Sequence, residues 1–406
     1  MSLGIVEVIS LMLGLGGFSV QQNPKAPTPD VALQYAMPDA DIVMHFDAGT
    51  VVPNNYKVLT GLPNLPSIKS SRELSDAVRR AIGEVEGVRG LAKMGTGIDL
   101  VSDINDATVF VQLLPKQDPN FVAVVHGKFT PANLEKIAKS ASRQVSKVGA
   151  GALIDNGPND PAIGLTKDGA LIAGNLNLVR DRVGDTWRAP ARPANSNLAH
   201  AAEVIAQRPI YALVVSLSQS ARKAANENIG AKNVLGDMIT RHKVATFSVY
   251  TDGIGWTWID SSKAGLDNME TMSIGALDLL KAAHIAPRGF AKIALGALDS
   301  YKGTDKQIDE VIRRKGDVLK IVETYTGDGN FKTTVQKDPR MLKLTVRAQG
   351  KTLAEVVPAG ALLPGAAAWL MLGKAEMKSS YDAMPPPPPV KAVPARPAPA
   401  RPAKKR

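Results

Sequence analysis

Residues 107–125 read ATVFVQLLPKQDPNFVAVV and contain two runs rich in β-branched and aromatic residues, separated by a polar connection with two prolines. Such runs, bounded by turn-forming residues, are typical of β-strands. The runs at 107–113 and 121–125 are therefore predicted to be consecutive strands. Consecutive strands joined by a short connection pair in antiparallel fashion, and this indicates the type of sheet to expect.

Similar β-like runs lie at 41–46, 162–166 and 170–173, and the last two flank Lys167-Asp168-Gly169. An Asp-Gly step between two apolar runs is a strong hairpin signal, because both residues tolerate the positive φ of a tight turn. Apolar residues recur at intervals of three and four from Leu74 to Val88, as on the buried face of a helix. Strands joined by turns, with helices in blocks between them, predict an α+β fold with mainly antiparallel sheets and helices on one face.

The order of these elements occurs twice along the chain. Each half holds a first strand, a pair of β runs, helical stretches and a final Lys-Asp turn. The matching positions are Ile42 with Ile210, Ala107 with Ala245, and Lys167 with Lys337. We therefore expect an internal duplication that gives two similar lobes, each with its own sheet.

The chain has 406 residues, enough for two or three domains at roughly 150 residues per domain. Proline-rich stretches mark the boundaries at both ends, because proline cannot continue a helix and such segments bury little surface. The predicted division is an apolar N-terminal segment with a proline-rich linker (1–30), lobe 1 (31–200), lobe 2 (201–380) and a disordered, basic, proline-rich tail (381–406).

The segment from Leu3 to Val20 is apolar apart from one glutamate and two serines. As a helix it would span roughly 27 Å, which is marginal for a bilayer. Three interpretations stay open: a membrane anchor, a signal-like segment with an upstream start, or a helix packed on its own domain. The residues expected to contact the membrane or a partner are Ile5, Ile9, Met12 and Leu13.

The net charge of +11 is concentrated at the C-terminus, where residues 385–406 carry six basic residues and no acid. The remaining 384 residues carry only +5, without aromatic-interleaved basic patches, so no specific nucleic-acid partner is expected. The tail is either a solubilising spacer or a contact for a protein partner or an anionic envelope surface. Its candidate contact residues are Lys391, Arg396, Arg401, Lys404, Lys405 and Arg406.

No motif for catalysis, metal binding or a cofactor is visible in the sequence. The chain has no cysteine, and its five histidines include no pair at metal-binding spacing. His45 and His126 occur in or at the end of β runs, where a solvent-facing or hydrogen-bonded side chain is expected. Trp256 and Trp258 are two residues apart on a strand and share one face, which is either a binding platform or, more commonly, the inner face of a sheet. We expect no enzyme activity, cofactor or metal.

Four stretches of the first half resemble uncharacterised two-lobed proteins of the bacterial cell envelope, which often begin with a signal or lipoprotein segment. These stretches are MPDADIVMHFDAG (37–49), TGIDLVSDINDATVFVQL (96–113), FVAVVHGKFTPANLEKIAKSA (121–141) and TKDGALIAG (166–174). The resemblance extends over residues 31–200 and more faintly over 201–360. It implies an envelope location on the periplasmic side and brings no catalytic residues, although this chain lacks both the basic start and the lipobox cysteine of those families.

Three functional hypotheses follow. The first is a non-enzymatic binding or structural protein of the cell envelope, held near a membrane by its N-terminal segment, with a basic tail that reaches a partner or an anionic surface. The second is a subunit of a larger assembly whose N-terminal helix and tail dock on other chains. The third is an enzyme with a composite site. No motif specifies the partner, the biological process or the oligomeric state.

Overall fold

The computed structural model describes residues 28–350, apart from residues 65, 70–71, 115–116, 158–159, 195, 220, 224–241, 305 and 328–329. The predicted contact residues of the N-terminal segment and of the basic tail lie outside this range.

The described residues form one twelve-stranded sheet in which every neighbouring pair of strands is antiparallel. Its order is β11-β12-β10-β9-β8-β1-β2-β3-β7-β6-β5-β4. In chain order the strands are β1 (Ile42–Phe46), β2 (Ile104–Gln112), β3 (Asn120–Gly127), β4 (Val145–Val148), β5 (Gly151–Ile154), β6 (Ala162–Leu165), β7 (Leu171–Gly174), β8 (Tyr211–Val215), β9 (His242–Tyr250), β10 (Gly253–Asp260), β11 (Phe331–Asp338) and β12 (Lys343–Gly350).

The helices lie between these strands in the chain. They are α1 (Pro29–Ala32), α2 (Ala48–Gly61), α3 (Pro66–Lys69), α4 (Arg72–Thr96), α5 (Pro131–Ser140), α6 (Leu176–Val183), α7 (Asn197–Ala206), α8 (Lys263–Leu298), α9 (Lys306–Arg313) and α10 (Lys315–Thr326). Two short 3₁₀ turns occupy Leu62–Asn64 and Asp299–Tyr301.

Helices cover both faces of the sheet. One face presents Val43, Phe110 and Val124 to α1, α6 and α7. The opposite face presents Leu171 to α5 and Trp256 to α8. The expectation of helices on one face was wrong, because the central strands are apolar at consecutive positions and both of their faces need cover.

The α+β class and the antiparallel sheet are confirmed, whereas the two-lobe duplication is not confirmed. The sheet runs without interruption through both halves, because β1 pairs with β8 from Ile42–Val215 to Phe46–Tyr211. The helical connections also differ, since α2–α4 lie between β1 and β2 whereas α8–α10 lie between β10 and β11.

The strand order nevertheless repeats outward from the centre. From β1 the sheet continues through β2, β3, β7 and β6, and from β8 it continues through β9, β10, β12 and β11. Ile42 begins β1 and Ile210 directly precedes β8, while Lys167 lies in the β6–β7 turn and Lys337 lies near the end of β11. The matched positions thus lie on or beside corresponding strands but at different points of them, since Lys167 is in a turn and Lys337 is within a strand.

Candidate functional site

Helix α8 is the longest helix of the described chain, with 36 residues. It begins at the N-cap Ser262, whose hydroxyl accepts a hydrogen bond from the Gly265 amide at 3.0 Å. Its first half packs on the sheet through Leu266, Met269 and Leu277, in a cluster with Leu344 of β12. At 1.5 Å per residue the helix is about 54 Å long, so its second half extends beyond this cluster.

The second half of α8 packs instead against α10. Ion pairs show that the two helices run antiparallel: Arg288 and Lys292 lie 3.5 and 3.7 Å from Glu323, and Lys315 lies 2.5 Å from Asp299. We refer to residues 284–326 as the helical arm. The arm is held mainly by helix–helix contacts, because the sheet contributes little to its packing.

One side of α8 carries an exposed apolar row, which we call the α8 stripe. Its members recur at alternating intervals of four and three residues, so they lie on one face of the helix over about 37 Å. All are exposed except Ala286, which is half-buried, and Leu279, Phe290 and Ile293 are 73%, 71% and 71% exposed. The stripe consists of Met272, Ala276, Leu279, Ala283, Ala286, Phe290, Ile293 and Ala297.

The charges of α8 lie away from the stripe. From Leu279 to Leu298 the helix has three basic residues, Lys281, Arg288 and Lys292, and no acid. At 100° per residue they project from the side roughly opposite the stripe. The distal half of α8 is thus amphipathic, with an apolar outer face and a basic face that pairs with Glu323 of α10.

An exposed apolar row of this length indicates contact with a lipid surface or with another protein. A helix with Phe and Leu on one face and Lys and Arg on the other is the type that lies in the plane of a membrane interface. Within the described part of the chain, no helix has the length and apolar character required to cross a bilayer.

Trp256 and Trp258 share one face of β10, as the sequence predicts, and that face is covered by α8. Both rings are half-buried in the cluster that contains Leu266 and Leu344. The Trp256 indole N–H donates to the hydroxyl of Ser273 on α8 at 2.9 Å. The structure thus places the pair on an inner face of the sheet, the commoner of the two locations considered.

A buried polar cluster lies at one end of the central strands. His45 Nδ1 is 2.9 Å from Thr108 Oγ1, and His126 Nδ1 is 2.9 Å from Asp106 Oδ1. Burial lowers the pKa of His45 to about 4, while Asp106 and His126 act on it in opposite directions. His45 is 3% exposed, so its neutral form is the stable one near pH 7. No group of three or more His, Cys, Asp or Glu residues placed to hold a metal ion occurs in the described residues.

The sequence reasoning did not identify the α8 stripe. The signal was present as the four-and-three spacing from Met272 to Ala297. It was obscured because α8 is also apolar on the side that packs against the sheet, so its outer face does not stand out as a separate pattern.

No known protein family and no curated protein matches the chain. A solved structure described as "Structure of crystal form I of TP0453" aligns with 84% of this chain and 98% of its own, at 9% sequence identity and a TM-score of 0.31. A likeness of this degree assigns neither a fold family nor a function to the chain.

Proposed function

We propose that this protein is a non-enzymatic binding protein of the bacterial cell envelope that associates with a membrane surface through the α8 stripe. The observation that carries the proposal is the row of exposed apolar side chains on a helix whose opposite face is basic. The envelope location rests on the family resemblance of the sequence.

The charge of the chain favours an anionic lipid surface as the partner of this face. The distal half of α8 carries three basic residues, two of which pair with Glu323, and residues 385–406 add six positive charges without an acid. Basic residues near an anionic bilayer contribute about 1 kcal/mol each. The N-terminal apolar segment, with Ile5, Ile9, Met12 and Leu13, would provide a second point of attachment.

The test is sedimentation of the full chain with vesicles of phosphatidylglycerol and phosphatidylcholine, compared with the double variant Phe290→Glu/Ile293→Glu. Insertion of each apolar side chain is worth about 1.5–3 kcal/mol, and 1.4 kcal/mol corresponds to tenfold in affinity. We therefore expect the variant to bind at least tenfold more weakly. Leu91→Glu on α4 is the matched control, because Leu91 is 66% exposed but lies outside the stripe.

Equal binding by the wild type and the double variant would contradict the proposal, as would a wild type that does not bind either vesicle. Circular dichroism melting of all variants checks that each is folded. Light scattering on the same samples detects an alternative in which the stripe joins two protein chains.

The basic tail and the N-terminal segment are tested by deletion in the same vesicle assay. Loss of residues 385–406 is expected to weaken binding to phosphatidylglycerol at low salt and to have less effect at moderate salt, because exposed charges are screened within about 8 Å at 0.15 M ionic strength. Unchanged binding at both salt levels would make the tail a spacer. Deletion of residues 1–20 is expected to weaken binding without lowering the melting temperature, whereas a large drop in melting temperature would indicate a helix packed on its own domain.

A second candidate function is that of a subunit in a larger assembly, with the α8 stripe as the docking face. Its alternating spacing of four and three is also that of a coiled-coil seam, and this observation favours a helical protein partner. The light-scattering measurement separates the two functions. An assembly formed through the stripe should have a lower molar mass in the Phe290→Glu/Ile293→Glu variant.

We also propose that the two halves of the sheet arose by duplication. The support is the repeated outward strand order. Superposition of β1, β2, β3, β7 and β6 on β8, β9, β10, β12 and β11 tests it. A failure to bring Ile42 onto Ile210 and Lys167 onto Lys337 would reject it.

A further inference from the structure

A small groove of mixed polar and apolar lining lies on the sheet face opposite α8. It is bounded by α7 on one side and by β9, β10 and β12 below, and its volume is about 100 Å³. This is smaller than the roughly 300–1,000 Å³ of pockets for drug-sized ligands, so a ligand of monosaccharide size would enter it only in part. The groove belongs neither to the α8 stripe nor to the buried histidine cluster.

The floor of the groove is lined with hydroxyl groups. Thr246 and Ser248 of β9 are 8% and 3% exposed, and Thr345 of β12 lies 3.4 Å from the hydroxyl of Thr257. Between these strands, Gly255 has no side chain to fill the space. A Cβ there would lie 3.1 Å from the backbone oxygen of Val346, so a larger residue would crowd the floor.

The side-chain nitrogens of Lys343 and His200 on the rim converge on a single carboxylate oxygen. Lys343 Nζ lies 3.6 Å and His200 Nδ1 lies 3.8 Å from Glu203 Oε2. Both distances exceed an ordinary hydrogen bond, and the Glu203 side chain is 60% exposed. The carboxylate of Glu203 therefore marks a position for an anion from which it is easily displaced.

Arg347 lines the groove and is held in place by its neighbours. Its guanidinium lies 4.3 Å from the ring centre of Tyr250, and its Nη2 donates to Asp252 at 2.9 Å. These contacts fix the guanidinium, while its buried Nε has no hydrogen-bond partner.

We propose that this groove binds a small anionic polyol, in which one carboxylate or phosphate group is attached to a hydroxyl-bearing skeleton of monosaccharide size. The anionic group takes the place of the Glu203 carboxylate between Lys343 and His200. The hydroxyls of the ligand exchange hydrogen bonds with Ser248 and Thr345.

The experiment is isothermal titration of the full chain with glucuronate, glucose 6-phosphate and uncharged glucose. We expect at least one of the two anions to bind at least tenfold more tightly than glucose, and the preference between them identifies carboxylate or phosphate as the anionic group. Lys343→Gln is expected to weaken binding of the preferred anion at least tenfold. Lys332→Gln is the matched control, because Lys332 is an exposed lysine on the neighbouring strand β11 outside the groove.

A second variant, Thr345→Val, removes a floor hydroxyl with almost no change in volume and keeps the test valid if Lys343→Gln does not fold. It is expected to weaken binding severalfold. The proposal is overturned if neither anion binds, if glucose binds as well as both anions, or if Lys332→Gln weakens binding as much as Lys343→Gln. The last result would indicate non-specific attraction to the positive surface. None of these outcomes depends on vesicle binding.

Discussion

Replacement of His45 by glutamine is expected to make the protein more resistant to mild acid. His45 is 3% exposed, and burial lowers the pKa of its imidazole from the ordinary value of 6.5 to about 4. The unfolded chain therefore takes up a proton on this group more readily than the folded chain. The folded state keeps His45 neutral, and the unfolding free energy linked to this group is fully present above pH 6.5. It is lost as the pH falls towards 4.

The size of this loss follows from the difference between the two pKa values. At about 1.36 kcal/mol per pKa unit, lowering the pH from 7.5 to 4.5 removes about 2–3 kcal/mol of unfolding free energy through His45. Burial also lowers the pKa of His200, which acts in the same direction. Burial raises the pKa of Asp47, which has the opposite effect.

Urea denaturation of the wild type and of His45→Gln at pH 7.5 and 4.5 measures the difference. The variant should lose about 2–3 kcal/mol less than the wild type between these pH values. Thr108→Val is the control, because it removes the hydrogen-bond partner of His45 at 2.9 Å but leaves the titrating imidazole in place. The reasoning is refuted if His45→Gln loses as much stability on acidification as the wild type, or if Thr108→Val abolishes the pH effect.

Three further substitutions test the packing around the sheet. Asp99→Asn should lower the free energy of unfolding, measured by urea denaturation, by about 3 kcal/mol. The buried Asp99 carboxylate accepts hydrogen bonds from Arg89 Nε and Nη2 at 2.8 and 2.7 Å. A decrease of only a few tenths of a kcal/mol would contradict a structural role for this pair. Arg182→Lys should lower the free energy of unfolding by about 2 kcal/mol. The buried guanidinium donates to three backbone carbonyls at 2.8–3.0 Å, and an ammonium group cannot reproduce all three bonds. Unchanged stability would refute this role of Arg182. Trp256→Phe should lower the free energy of unfolding by about 1 kcal/mol, because the hydrogen bond to Ser273 is lost. Vesicle binding should stay intact. Loss of vesicle binding in this folded variant would instead favour a binding platform.

Local elements were predictable where adjacent residues determine the conformation. The hairpin at Lys167-Asp168-Gly169 joins β6 to β7, and Gly169 has the positive φ of 83° that favours glycine. The strands predicted at 107–113 and 121–125 correspond to β2 and β3. Both predictions depend on residues that are close in sequence, so no knowledge of the remaining chain is needed.

Arrangement across the chain was not predictable in the same way. The pairing of β1 with β8 joins residues about 170 positions apart, and neither strand carries a local signal for the other. Without that pair, the repeated order favours two separate sheets. His45 was expected to face solvent or to form a hydrogen bond. Its burial depends on helices packed on its face of the sheet. The alternation of residues in a five-residue strand does not tell which face helices will cover.

The candidate site was missed for a related reason. The α8 stripe consists of apolar residues that sequence reasoning assigns to a core by default, and only the packing of α8 identifies which side is covered. The groove beside α7 assembles His200, Lys343 and Arg347 from two regions separated by about 140 residues. Neither region has a recognisable motif, because the groove depends on the apposition of α7 and β12.

Pro287 lies within α8, near the residue at which the helix leaves the sheet and enters the helical arm. A proline at this point cannot donate to the carbonyl of Ala283, and its ring bends a helix away from that residue. The arm and the sheet-bound half of α8 are thus joined at a break in the hydrogen-bond ladder, and the arm buries fewer side chains than the sheet. Segments of this kind open at a free energy well below that of global unfolding. If α8 binds a surface as proposed, we expect its outer half to change its tilt while the twelve strands keep their register.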